Sequence, residues 1–312
     1  MSFYNKEEFL SFEVIKAGLF TTIQDRGRFS FTHLGVTNSG VMDEYASLSA
    51  HKLLGNDLDT NILEITFSNF ELLANADTNI CITGASCQFS INDISQNTWQ
   101  VHKIHKGDSI KIGKLIDGQR VYLAVKHGFN IKKEFGSNST TIKESLGGIS
   151  GIQIKNGNIL PYTKNNDEIL NRWHIKHIPK YEKELTLRVL LSYQEDSFSD
   201  YEKEKFFNST YTVTPDFNRM ACKLKGEPIT SSLDGIISEA ISFGSIQIPN
   251  DGQPIILLKE RQTIGGYPKI GTVLSIDCFK LSQIKIGGTI KFEEISIETA
   301  QKKLKEFYLT FK

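Results

Sequence analysis

The sequence predicts a mainly β protein with few helices, and three observations predict it. Short runs rich in β-branched and aromatic residues recur every roughly 8–12 residues with turn residues between them, the spacing of a sandwich or barrel rather than of alternating βα units. Helical periodicity is confined to three segments. A polar, proline-bearing stretch near the middle separates two strand-rich halves.

Strands are expected first at 12–18 (FEVIKAG), 69–73 (NFELL), 79–85 (NICITGA), 89–93 (FSIND), 108–113 (DSIKIG) and 119–125 (QRVYLAV). The second half offers 185–193 (LTLRVLLSY), 211–215 (YTVTP), 245–249 (SIQIP), 254–258 (PIILL), 270–276 (IGTVLSI) and 288–295 (GTIKFEEI). The first helix is expected within 39–56, with Ser39 or Asp43 able to cap its start and Gly55 suited to its end. Met42, Ala46, Leu53 and Leu54 give it a partial apolar stripe, as for a helix that plugs a sheet opening or covers a face. The other two helices are expected within 197–207 and 296–308. At 312 residues the chain exceeds what one core usually supports, so two domains are expected, 1–160 and 185–312, joined by a linker at 161–184. The layout of the halves suggests a duplicated architecture, although no literal repeat is visible.

Thirty-six basic residues balance 36 acidic ones, so neither a nucleic acid nor an anionic membrane is an expected partner. The N-terminus carries acids and lacks a long apolar run, which reads as neither signal peptide nor membrane span; a cytoplasmic location is expected. Cys81, Cys87, Cys222 and Cys278 show no CxxC spacing and read as reduced, mostly buried thiols. The pairs His102/His105 and His174/His177 lack a third ligand of suitable spacing, so no metal is expected. P-loop, GxSxG and strand-linked GxGxxG signatures are missing, and none of Met1, Met42 and Met220 stands beside a biotin-accepting lysine. This chain therefore carries no recognisable cofactor motif; any ATP or biotin would be bound or brought by another chain.

Arginine carries the functional signal. Only seven of the 36 basic residues are arginine: Arg26, Arg28, Arg120, Arg172, Arg188, Arg219 and Arg261. A lysine-biased chain uses arginine where the planar, bidentate fork has no lysine substitute. Four of the seven sit in turn-rich stretches: QDRGR (24–28), DFNRM (216–220) and ERQTIGGYP (260–268). In GVTNSGVMD (35–43) small residues precede a helix start and leave backbone N–H groups free for an anionic group. Gly265 and Gly266 permit backbone geometry closed to other residues, and Arg261, Gln262 and Thr263 could present donors beside Tyr267. Together these loops read as a pocket for a planar amide or carboxylate. The alternative reading leaves the arginines tying loops down through carbonyls or a neighbouring acid such as Asp25. Asp25, Asp43 and Glu64 are the nearby carboxylates that could act as a base, a role weakened wherever arginine pairs with them.

The succession TTIQDRGRFSFTHLGVTNSGVMDEYASLSAHKLLGNDLDTNILEIT, TGA, YLAVKHG, GSNSTT, NRM, GSIQIPNDGQPIILLKERQTIGGYP and GGTIKFEEI resembles, in order from about residue 13 to 295, the family of the 5-oxoprolinase C subunit. That family is also called the biotin-dependent carboxyltransferase or allophanate hydrolase subunit 2 family, and includes the Kip antagonist. The resemblance implies two tandem cyclophilin-like β-barrel domains and a role, with 5-oxoprolinase subunits A and B, in the ATP-dependent opening of 5-oxoproline to glutamate. It implies catalytic roles for Arg28, Arg261 and Asp25. Gln24, Ser39, Gly40, Gln262, Thr263, Gly265, Gly266 and Tyr267 become expected substrate contacts. The same resemblance leaves two alternatives: carboxyl transfer to a urea-like acceptor, and a regulatory module that binds a kinase-inhibitor protein. Against the family pattern, this chain has Ser30 for glycine, His51 for asparagine, Lys126-His127 before Gly128, Ala221-Cys222-Lys223 for Gly-Tyr-Arg, and Glu260 for aspartate.

Overall fold

A computed structural model describes residues 10–165, 169 and 173–312. The N-terminal stretch 1–9, Arg172 and part of the expected linker at 161–184 lie outside the described residues. The chain forms two compact units, one running through Gly27 and then from Tyr45 to Lys180, the other made of Arg28–Glu44 and Tyr181–Lys312. A division into consecutive halves does not provide for this exchange: a segment from the N-terminal half is built into the second unit.

The first unit contains β1 (Ser11–Ala17), β2 (Phe20–Gln24), most of α1 (Glu44–Leu54), β3 (Ile62–Thr66), β4 (Phe70–Ala74), β5 (Thr78–Gly84) and β6 (Cys87–Ile91). β7 (Ile94–Ser95), β8 (Val101–Ile104), β9 (Ser109–Leu115), β10 (Arg120–Val125) and β11 (Ile159–Pro161) follow. A six-stranded sheet runs β11-β1-β4-β9-β6-β7 and a five-stranded sheet β2-β3-β10-β5-β8. β5 and β10 are buried at every position, polar Thr78, Asn79, Thr83 and Arg120 included. Phe12, Val14 and Leu72 of the first sheet and Leu63, Ile82 and Leu123 of the second share one core. Directly after Asp43, α1 begins; it stops at Gly55, whose φ of +64° is the left-handed conformation that glycine takes most easily. Lys126, one of the departures from the family pattern, donates to the Leu54 and Gly55 carbonyls and so closes that helix end.

In the second unit, β12 (Glu184–Leu191), α2 (Asp200–Asn208), β13 (Tyr211–Phe217) and β14 (Ala221–Lys225) lead into β15 (Glu239–Ala240), β16 (Ser245–Gln247), β17 (Ile255–Leu257) and β18 (Ile264–Gly265). β19 (Lys269–Val273), α3 (Ser275–Leu281), β20 (Thr289–Glu294) and α4 (Ile297–Leu309) complete it. Seven strands close a barrel in the order β12-β19-β16-β17-β14-β13-β20, sealed by the parallel pair β12–β20. The mainly β expectation, with few helices, is met. Strands β2, β3, β8 and β14 lie outside the expected runs, and the strand expected over 270–276 ends at Val273, where α3 takes over. Asp277 explains the switch. In the first turn of α3 it accepts from the backbone N–H, Nε and Nη2 of Arg188 at 2.9, 2.8 and 2.6 Å, fixing the helix start to β12.

Met42 of the Arg28–Glu44 segment is 1 % exposed and lies in the barrel core with Leu187, Val189 and Ile246. Burying it contributes about 1.5–3 kcal/mol. Polar ties hold the same segment. Ser39 N–H donates to the Lys259 carbonyl, Asp43 accepts from Tyr181 and Gln283, and Glu44 accepts from Lys259 Nζ at 2.7 Å and Tyr308 Oη at 3.0 Å. The β15–β18 pair stands apart as a two-stranded ribbon. No described helix is long and apolar enough to cross a membrane.

Candidate functional site

The site is built from three backbone turns of the second unit. The first is closed at its ends by two hydrogen bonds, Arg28 N–H to the Asn38 carbonyl and Asn38 Nδ2 to the Arg28 carbonyl. Within it, the single turn Thr32–Leu34 ends at Gly35. The second turn carries Arg219, whose carbonyl accepts from Glu260 N–H while the Met220 carbonyl accepts from Leu258 N–H. The third runs from Leu258 into β18, with Arg261 N–H bonded to the Leu258 carbonyl and Ile241 N–H to the Thr263 carbonyl.

The first and third of these turns, with Ala240 to Phe243, line a cavity of about 260 Å³. One side is Thr32 and Asn38, another Ala240 to Phe243, and the third Arg261, Gln262 and Thr263. Arg261 dominates its electrostatics. Its Nε donates to the Ile241 carbonyl at 2.9 Å, Nη1 to the Leu258 carbonyl at 3.2 Å and Nη2 to Asn38 Oδ1 at 3.1 Å. The guanidinium carbon lies 6.0 Å from the centre of the Phe243 ring. All three acceptors are neutral, and among the described residues Arg261 makes no ion pair. Burial pulls its pKa down to about 10, which leaves it cationic at neutral pH.

The acids that directly precede the lining residues Arg261 and Ala240 in sequence are both engaged elsewhere. Glu260 accepts from Arg219 Nε at 2.6 Å, and Glu239 pairs with Lys269. Arg219 also donates through Nη2 to the Gly40 carbonyl at 2.7 Å, with Ser39 Oγ at 3.4 Å. A half-buried guanidinium that meets only neutral partners, beside open space, holds uncompensated charge; it favours an oxygen-rich anion or a carbonyl that gains charge during reaction.

Of the residues expected from sequence, Arg261, Gln262 and Thr263 meet at this cavity. Arg28 is buried, and its main chain frames the turn that presents Asn38. Ser39 (φ +53°) and Gly40 contact Arg219. Gly265 lies in the ribbon, where a Cβ would come within 2.6 Å of Ile241 Cδ1, and the Gly266 carbonyl accepts from Ile236 N–H. Tyr267 is exposed and does not line the cavity.

Gln24 and Asp25 belong to the first unit. Gln24 is buried and donates to Thr22 Oγ1 and the Thr140 carbonyl. The Asp25 carboxylate accepts from Ser137 Oγ, Ser139 Oγ and Asn138 N–H, each at 2.6 Å, and from Gly27 N–H at 2.8 Å. Four donors occupy it, so it performs the loop-tying role that the sequence left open. Glu64 accepts from Tyr122 Oη, and Asp43 is held by Tyr181 and Gln283, so neither stands ready as a base.

Asn38 lines the cavity without being among the residues expected from sequence, although it lies in the turn-rich TNSG, while Arg219, whose turn-rich DFNRM the sequence singles out, ties Glu260 and Gly40 outside the lining. Their signal is the side-chain chemistry of an amide and a guanidinium inside tight turns. Phe243 and the Ile241 carbonyl have none. Among the described residues no group of three or more His, Cys, Asp or Glu side chains could hold a metal ion.

The carboxyltransferase domain profile, subdomains A and B, matches residues 34–294. The 5-oxoprolinase C subunit of Escherichia coli (strain K12) is 31% identical over 291 residues, which is 93% of this chain and 93% of that protein. That of Haemophilus influenzae is 32% identical over 291 residues, 92% of this chain and 93% of that one. The crystal structure of the K. lactis urea amidolyase superposes with a TM-score of 0.91 at 24% identity, over 98% of this chain and 20% of that one, which shows a shared fold. This chain belongs to the carboxyltransferase domain family, and it is homologous to the 5-oxoprolinase C subunit over nearly its whole length.

Proposed function

We propose that this chain is the C component of an ATP-dependent 5-oxoprolinase, acting with subunits A and B to open 5-oxoproline to glutamate. One observation carries the reading beyond family membership: a cavity of metabolite size whose only charged side chain, among the described residues, is an arginine without an acidic partner. A lactam is a poor electrophile, and opening it requires an oxygen-rich substrate held in place by donors fixed in advance. Arg261 supplies the charge, and Gln262 and Thr263 supply neutral donors at the same wall. Asn38, held by Arg28, keeps the fork in place. ATP would be bound by another protein of the complex.

The test is reconstitution of the three-subunit mixture and a coupled assay of ATP-dependent glutamate release from 5-oxoproline. Omission of this chain is expected to abolish release, and Arg261→Lys to lower turnover at least tenfold with the far-UV circular dichroism unchanged. Glutamate formed without this chain, or full turnover by the lysine variant, refutes the reading.

A further inference from the structure

The cavity's lining also constrains which part of a ligand it receives. Guanidinium has five N–H donors. Three are spent on the Ile241 and Leu258 carbonyls and Asn38 Oδ1, which leaves one on each terminal nitrogen. A carboxylate supplies two oxygens, one for each. Asn38, Thr32, Ser242, Gln262 and Thr263 add only neutral polar groups, so the lining carries a single positive charge.

A neutral lactam oxygen leaves a desolvated cation uncompensated in the ground state, whereas a carboxylate neutralises it at once. One positive charge suits one negative charge, and a phosphate monoester or dicarboxylate would bring an excess. We propose that the cavity of the second unit is a monocarboxylate-binding site in which Arg261 reads the carboxylate of a small ring substrate, leaving the reacting amide to other groups. The assignment rests on the oxoprolinase reading for the identity of the ring compound, and on the cavity alone for the carboxylate.

Titration calorimetry on the purified full chain, without ATP or other subunits, tests it with four probes: 5-oxoproline, tetrahydrofuran-2-carboxylate, neutral 2-pyrrolidinone and urea. Both carboxylates are expected to bind at least tenfold more tightly than pyrrolidinone or urea. Arg261→Gln is expected to remove that preference. Gln262→Glu, at an exposed position of the same wall, is expected to weaken carboxylate binding at least tenfold, and it decides the matter if the Arg261 variant does not fold. Pyrrolidinone binding as tightly as 5-oxoproline overturns the proposal, as does undiminished carboxylate binding in both variants or binding of neither carboxylate. Carboxylate binding that persists while the reconstituted mixture releases no glutamate sinks the oxoprolinase reading and leaves the site standing.

Discussion

His51, where the family pattern has asparagine, makes the stability of the first unit depend on pH in a calculable way. The ring is fully buried, with only a weak polar contact to the Thr60 backbone. Burial lowers its pKa from 6.5 to about 4, against the smaller opposing pull of the Thr60 backbone and the Asp59 charge. The unfolded chain therefore takes up this proton before the folded one does. The His51 contribution is fully present above pH 6.5 and is lost as pH falls from 6.5 towards 4, by about 3 kcal/mol in total. Between pH 7.5 and 5.5 the loss is about 1.3 kcal/mol, a window that stays above the ordinary carboxylate range. His51→Asn removes this term, so the variant should lose about 1.3 kcal/mol less than the parent over the same interval. Urea unfolding followed by tryptophan fluorescence measures it selectively, because Trp99 and Trp173 both lie in the first unit with His51. His102, also lowered by burial, is common to both proteins and cancels in the comparison. Identical pH dependence in parent and variant refutes the argument.

Two more substitutions probe the second unit. Met42→Ala should destabilise it by about 2–5 kcal/mol, because the cavity lies in a closed barrel core that collapses poorly; hydrogen exchange of the β12 and β20 amides reads the loss, and unchanged protection contradicts the packing described. Glu260→Gln should leave Arg219 without its carboxylate at a site where both side chains are largely buried, costing about 3 kcal/mol in the same measurement. A neutral outcome there would mean that the Gly40 carbonyl and Ser39 suffice to hold Arg219.

Much of the fold is legible in the sequence because short-range pattern decides it. The β-branched and aromatic content of NICITGA and QRVYLAV announces β5 and β10, and the helices expected within 197–207 and 296–308 form as α2 and α4. The start of α3 is not legible. TVLSI has strand propensity, and only the Arg188–Asp277 pair, 89 positions apart, determines where the strand stops. Scarcity of arginine identifies the wall of the candidate site, since Arg261 is used where lysine would not serve. The same signal overreaches at Asp25, because whether a carboxylate is free or saturated depends on residues 112 to 114 positions away. Asn38 shows the converse: its amide both accepts from Arg261 and donates to the Arg28 carbonyl, and no spacing rule pairs positions 223 apart.

The path of the chain through the Arg28–Glu44 segment constrains how the protein can be made and dissected. During synthesis this stretch leaves the ribosome long before β12 exists, so Met42 must wait for its apolar surroundings until the C-terminal strands are complete. A fragment beginning at Tyr181 would lack Met42 and Glu44, stranding the Lys259 ammonium over the Phe243 and Phe279 rings with no carboxylate. The second unit is thus not an excisable module: its gene cannot be cut once, between the halves, without leaving the barrel unfinished.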